Sequence, residues 1–431
     1  MKLAGAALLL SSTSTALLES SAPTYRRELV SLHKSLVEIS SITYNENAVG
    51  QFLVDYLTEQ DFVAELEFLP PSNASNAFDS AKRPRFNVLA WPGPDRHPSP
   101  KVLVTSHIDT VPPYIPYSRT DEEPNGETLI AGRGSVDAKA SVAAQITAVF
   151  DLLGSGRIDA GDVMLLFVVG EERTGDGMRH FSDTMASLDP ARRPNFRAAI
   201  YGEPTEGKLA CGHKGFFGCT VTARGKAGHS GYPWLGKSAT EVLMRGLVKV
   251  LDADLGSSEM FGNTTVNVGI IEGGVALNVI PEVAVARLGG RVAIGPELDG
   301  GRIVVERVEE VLRSVDEDAF ELDCNNGYGV VECACDVPGK IILAPSLPGI
   351  CLHTRSRINA HAGFETITVN YGTDVANFKG NHTRYLYGPG SILVAHGADE
   401  AIKLKDLEAG VEDFKKLILH VVRDEDEAGE L

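Results

Sequence analysis

Apolar residues in this chain recur with two different periods. Within residues 25–39, Leu29, Leu32, Leu36 and Val37 fall at helical spacing; residues 47–60 also read as an amphipathic helix. Residues 86–91, 101–106, 163–169 and 198–202 are short, continuous apolar runs rich in β-branched residues, which predict buried strands. Residues 391–395 have the same character and predict a further strand. A helix is expected from Asp137 to about residue 153, with Val142, Ile146, Val149, Phe150 and Leu153 as its buried stripe and Gly154-Ser-Gly156 as its stop. Strand, polar residue and helix then repeat. That order predicts an α/β unit, a mixed, mostly parallel sheet with helices on both faces.

The pattern changes after Lys214-Gly215. Strands are expected at 218–223, 264–271 and 283–294, with helices at 238–251 and 301–315. This reads as a smaller α+β unit inserted into the first. The chain returns at 366–371 and ends in a helix over 404–422. The expected organisation is a discontinuous domain, 21–214 and 333–431, that encloses an inserted domain at 215–332.

Length and composition narrow the picture. A chain of 431 residues, 43% hydrophobic, can bury two cores. The net charge of −18, from 40 basic and 58 acidic residues, argues against nucleic acid or an anionic membrane as partner. Lys2, the apolar stretch 3–10 and the small residues after it read as a secretory signal over residues 1–20, too short to span a bilayer. Sequons at Asn73, Asn263 and Asn381 agree with a secreted, glycosylated chain. Of the six cysteines, Cys324 with Cys333 or Cys335 makes a plausible small disulfide loop, although connectivity is not readable from sequence.

The chemistry lies where the apolar runs stop. His107 and Asp109 follow one run, Glu171-Glu172 another, Glu203 a third and His396 a fourth, while Asp137 opens a helix. Ligands of open α/β sheets sit just past the carboxyl ends of strands, so these side chains are expected at one rim. Each alone has a plainer explanation: helix capping for Asp137, a solvated turn for Glu171-Glu172, a structural histidine at a strand end. Together they supply a nitrogen and a carboxylate for each of two cations, with one carboxylate shared. Oxygen and imidazole donors without thiolate suit zinc, with cobalt or manganese as substitutes. Asp109 behind His107 would orient the ring. Of two adjacent glutamates, one can bind metal while the other serves as a base toward water.

The stretches Ser106-His-Ile-Asp-Thr-Val-Pro112, Gly132-Arg-Gly-Ser-Val-Asp-Ala-Lys139, Val169-Gly-Glu-Glu172, Gly202-Glu-Pro204, Gly225-Lys-Ala-Gly-His-Ser230 and Ala395-His396 resemble the co-catalytic dinuclear zinc exopeptidases and deacylases. That family includes aminoacylase, glutamate carboxypeptidase, acetylornithine deacetylase and succinyl-diaminopimelate desuccinylase. The chain looks most similar to its secreted probable carboxypeptidases. The resemblance implies one or two zinc ions per subunit. His107 and Glu203 would hold one, Glu172 and His396 the other, and Asp137 would bridge them. It also implies Glu171 as general base, Asp109 as the residue orienting His107, and an inserted lid domain compatible with a homodimer. His229 resembles the histidine that the lid presents to the active site, in dimeric members from the neighbouring subunit. Asn278 and Arg291 fall where lid residues contact substrate.

The implied activity is that of a metallo-carboxypeptidase or amidohydrolase acting on a peptide or N-acyl amino acid. Other readings are a deacylase of a small metabolite and a non-catalytic binding relative. Two departures stand out. Ala140 replaces the family's glycine after Asp137-Ala-Lys139. Residues 340–363 interrupt an expected run from Pro338-Gly339 into Phe364, and read as a retained intron or a surface insertion.

Overall fold

The computed structural model describes residues 22–71, 84–94, 99–337 and 363–423. The signal segment, the Asn73 sequon, Cys351 and all but the last residue of the 340–363 stretch lie outside the described residues.

Among the described residues, the large sheet has nine strands. Its order runs Phe62–Phe68, Phe86–Pro92, Val163–Val168, Val102–His107, Ala198–Gly202, Thr383–Tyr387, Leu209–His213 and Val331–Glu332, and Thr366–Val369 also pairs with Leu209–His213. The four central strands, Val163–Val168 to Thr383–Tyr387, are mutually parallel, and the flanking pairs are mostly antiparallel. This is the mixed α/β sheet expected. Both of its faces are covered, which explains the unbroken apolar runs. Val163, Leu165 and Phe167 pack with the helices Arg26–Glu38, Lys139–Gly154 and Leu404–Arg423. Met164, Leu166 and Val168 face the other way, toward Met178 and Phe181 of the helix Asp176–Ser187.

A second antiparallel sheet, four-stranded among the described residues, is built from Thr265–Gly273, Val283–Val292, Gly215–Arg224 and Phe320–Tyr328, in that order. The helices Ala239–Asp252 and Gly300–Arg313 cover one face. Their Leu243, Leu247, Val304, Val308 and Leu312 share a core with Phe217, Val221, Ala286 and Leu288 of the strands. Ser238 caps the first of these helices by accepting the Glu241 N–H. Among the described residues, no helix is long and apolar enough to cross a membrane.

Two expectations are corrected. Among the described residues the disulfides are Cys211–Cys335 and Cys219–Cys324, not a small loop from Cys324 to Cys333 or Cys335. Pairing follows strand neighbours rather than sequence distance: Cys219 and Cys324 sit opposite each other on adjacent strands. Among the described residues Cys333 is a free thiol, and burial pushes its pKa up to about 12. Residues 392–395 form turns, not a strand, and Ser391 makes an isolated bridge to Thr205. The Ser391 hydroxyl takes the Leu393 N–H, and the Val394 carbonyl takes the Gly397 N–H, so local bonds replace a ladder. Leu393 is left 88% exposed, and His396 has φ +63°.

A candidate dinuclear metal centre

Three parallel neighbours in the large sheet end at the same edge. His107 closes Val102–His107, Glu203 follows Ala198–Gly202, and Glu171-Glu172 follow Val163–Val168. Parallel strands point their carboxyl ends one way, so sequence order alone brings these groups to one rim. Asp137 comes from the turn before Lys139–Gly154. His396 comes from the loop described above.

The donors converge. His107 Nε2 lies 3.0 Å from Asp137 Oδ1 and 3.8 Å from Glu203 Oε2. His396 Nε2 lies 3.2 Å from Asp137 Oδ2 and 2.9 Å from Glu172 Oε2. Asp137 thus offers one oxygen to each histidine. Ligand atoms of His107, Asp137 and Glu172 lie within 4.8 Å of one another, and so do those of His107, Glu171 and Glu203. The second group places Glu171 among the donors as closely as it places Glu203.

The electrostatics show what such a cluster lacks. Burial pushes the Glu171, Glu172 and Glu203 carboxyls upward, with neighbouring carboxylates adding to the effect. Burial also opposes charge on His107, but Glu203, Asp109 and Asp137 outweigh it and hold the ring well above its ordinary pKa. Hydrogen bonds to Asp137 and Glu172 raise His396 to about 10. Burial would raise Asp137 as well, but the two histidines win and hold it well below the carboxylate range. The carboxylates of Asp137, Glu171, Glu172 and Glu203 face the imidazoles of His107 and His396, and Glu172 Oε1 is buried without a partner among the described residues. Cations would answer both the excess negative charge and the orphan oxygen. His107 Nδ1 donates to the Asp109 carbonyl at 3.0 Å, which frees Nε2 as the ligand atom. The donor set therefore fits a pair of divalent metals.

Asp109 does more than stand behind His107. Its carboxylate lies 3.5 Å from His107 Nδ1, accepts the Thr43 hydroxyl at 2.8 Å, and accepts the N–H groups of Glu171 and Glu172 at 3.1 and 3.3 Å. One side chain thus fixes the turn that carries both glutamates. Gly170 opens that turn with φ +80°, and a Cβ there would fall 2.0 Å from Asp176 Oδ1. Arg85 braces the same corner by bonding Glu46 and Asp176.

The remaining candidates lie elsewhere. His229 is exposed on a short ribbon opposite Val279, and its Nδ1 accepts the Gly231 N–H. Asn278 is exposed beside it, its carbonyl accepting the Ser230 N–H. Neither touches the cluster among the described contacts. Arg291 stacks over Phe216, and its Nη1 would lie 3.6 Å from a Cβ on Gly372, so it reaches from the small sheet to the loop before Asp374. Asn263 and Asn381 are exposed.

Sequence reasoning missed several neighbours of the cluster. Tyr371 donates to the Pro204 carbonyl at 2.9 Å, next to Glu203. Asp374 is buried, with one oxygen unpartnered, and burial pushes its pKa up to about 6. Tyr328, from the small sheet, has its hydroxyl 2.3 Å from where a Gly372 Cβ would stand. The available signal was Tyr371-Gly-Thr-Asp374, a polar stretch shortly after the strand Thr366–Val369.

Comparison with known proteins places the chain. Residues 103–420 match the profile of Peptidase family M20/M25/M40. A "Peptidase M20 domain-containing protein" of Sordaria macrospora is 53% identical over 415 residues, covering 93% of this chain and 86% of the relative. A "Probable carboxypeptidase" of Arthroderma otae is 40% identical over 429 residues, covering 92% and 87%. Among solved structures, a tripeptidase from Staphylococcus aureus superposes with a TM-score of 0.68 at 19% identity, covering 92% of this chain and 99% of that one, which shows a shared fold. The chain belongs to peptidase family M20/M25/M40.

Proposed function

We propose that this protein is a secreted zinc carboxypeptidase that cleaves an amide bond near a free carboxylate, with Glu171 as general base. The observation that carries this reading is the convergence of His107, Asp137, Glu172, Glu203 and His396, with Glu171 beside them. His107 and Glu203 would hold one zinc, Glu172 and His396 the second, and Asp137 would be shared. Cobalt or manganese could substitute. Bound there, the metals would supply Lewis acidity and make the attacking water easier to deprotonate.

Glu171 takes a proton from the attacking water as the water oxygen bonds to the carbonyl carbon. It returns that proton to the nitrogen as the C–N bond breaks. Asp109 keeps Glu171 in place through its backbone N–H. Arg291, reaching the Gly372 loop, pairs with the substrate carboxylate. Residues 215–332 act as a lid, with Asn278 on the substrate side. His229 steadies the developing negative charge, from a partner subunit if the lid pairs two chains. The name carried by the Arthroderma otae relative supports the carboxypeptidase reading. The exposed sequons at Asn263 and Asn381 support export.

The test is hydrolysis of N-blocked dipeptides and N-acyl amino acids by purified protein before and after chelation. Activity lost to chelator and restored by zinc is expected. Turnover that persists in the chelated protein refutes the metal role. Cleavage of acyl amino acids alone moves the assignment to a deacylase.

A further inference from the structure

Arg133 and Glu400 form an ion pair removed from solvent, 2% and 1% exposed, with Arg133 Nη1 2.6 Å from Glu400 Oε2. A buried pair of this kind is weak support for stability, because desolvation offsets most of the attraction. What it holds is more telling. Glu400 Oε1 accepts the N–H groups of Gly134, Val136 and Asp137 at 3.0, 3.0 and 3.2 Å. Arg133 Nη2 donates to the His396 carbonyl at 3.2 Å, and Nη1 donates to that of Gly397 at 3.1 Å. Its Nε donates to the Pro113 carbonyl at 3.3 Å. The pair thus grips two loops that lie far apart in sequence, one carrying Asp137 and the other His396.

The need for such a grip is clear from His396. His107 ends a buried strand, so the sheet itself fixes its ring. His396 sits on an exposed turn at φ +63°, with about half its side chain open to solvent. No sheet ladder holds it. Among the described contacts, its backbone is tied through the Arg133 fork.

We propose that Arg133 and Glu400 are positioning residues that set the distance between His396 and Asp137, so that the two serve as ligands of one cation. This rests on the metal-centre reading above. The fork matters as well as the charge: a lysine can face Glu400 but cannot reach two carbonyls in the same plane. Arg133→Lys is therefore expected to loosen His396 alone. Glu400→Gln frees the turn that carries Asp137, which both cations share.

The experiment is calorimetric titration of metal-free protein with zinc, together with the melting temperature of the metal-free protein as a fold check. Wild type is expected to show two binding steps. Arg133→Lys should weaken one step about 10-fold or more and leave the other unchanged, while Glu400→Gln should weaken both. A merely structural role would shift both steps together in Arg133→Lys, or neither, in parallel with the melting temperature. Should Arg133→Lys not fold, Glu400→Gln still decides, because wild-type affinity in that variant overturns the proposal. If wild type itself takes up no zinc, the metal-centre reading fails, and this inference with it. Two normal wild-type steps with unchanged variants overturn only the positioning role.

Discussion

Val163–Val168 in the large sheet is buried at every position, whereas Val283–Val292 in the small sheet alternates buried and open residues. The first strand has helices on both sides, the second on one. A strand covered on both faces has no lateral room for charge, so polar chemistry is confined to its tip. There the backbone leaves the sheet and neighbouring tips converge. The small sheet has an open face instead. It leaves Ile270, Ile271 and Val283 partly bare, and it sends Arg291 and Tyr328 toward the loop next to Asp374.

The sharpest way to break this contrast is at a strand tip. Glu171→Ala should lower kcat about 10³-fold while zinc content, measured by elemental analysis, stays at the wild-type level. Near-normal turnover would remove Glu171 as base. The next test lies inside the same strand. Phe167 is fully buried, so Phe167→Ala should cost about 3–5 kcal/mol in denaturant unfolding. A loss under 1 kcal/mol would mean that the large sheet is not packed on both faces.

A third test sits where the large sheet hands the chain to the small one. His213 is buried, its Nδ1 donates to the Lys214 carbonyl, and burial lowers its pKa to about 4. Between about pH 4 and the ordinary value near 6.5, the unfolded chain binds a proton that the folded chain does not. Stability should therefore fall as pH drops through that window, by up to about 1.4 kcal/mol per pH unit for this residue. Chemical unfolding of His213→Asn at pH 7 and pH 5 should show a shallower slope than wild type, and an unchanged slope would assign the effect to other groups. The smallest effect belongs to the open face. Ile271→Ser, at a residue 59% exposed, should change stability by no more than about 0.5 kcal/mol. A larger loss would indicate that something covers that face in solution.

What the sequence revealed follows the same division. His107, Glu171, Glu172 and Glu203 were legible because each ends a run that has to be buried, and the sheet then fixes where the run points. His396 was placed at the rim for a wrong local reason, since its apolar lead-in forms turns rather than a strand. The strand Phe62–Phe68 escaped because it lies at the sheet's edge and alternates with Glu65 and Glu67. The helix Asp176–Ser187 escaped because it is short and largely polar. Thr43, Arg133, Tyr328 and Glu400 could not be read at all, because their roles depend on partners brought together only by the complete fold. The disulfides were hidden for the same reason.

Cys211 and Cys335 are joined across 124 residues, one on each side of the small sheet unit. A protease nick anywhere between them would leave the two pieces covalently attached. The cut protein would run as a single band until reductant was added, and under oxidising conditions the molecule could be clipped in that region without losing either half.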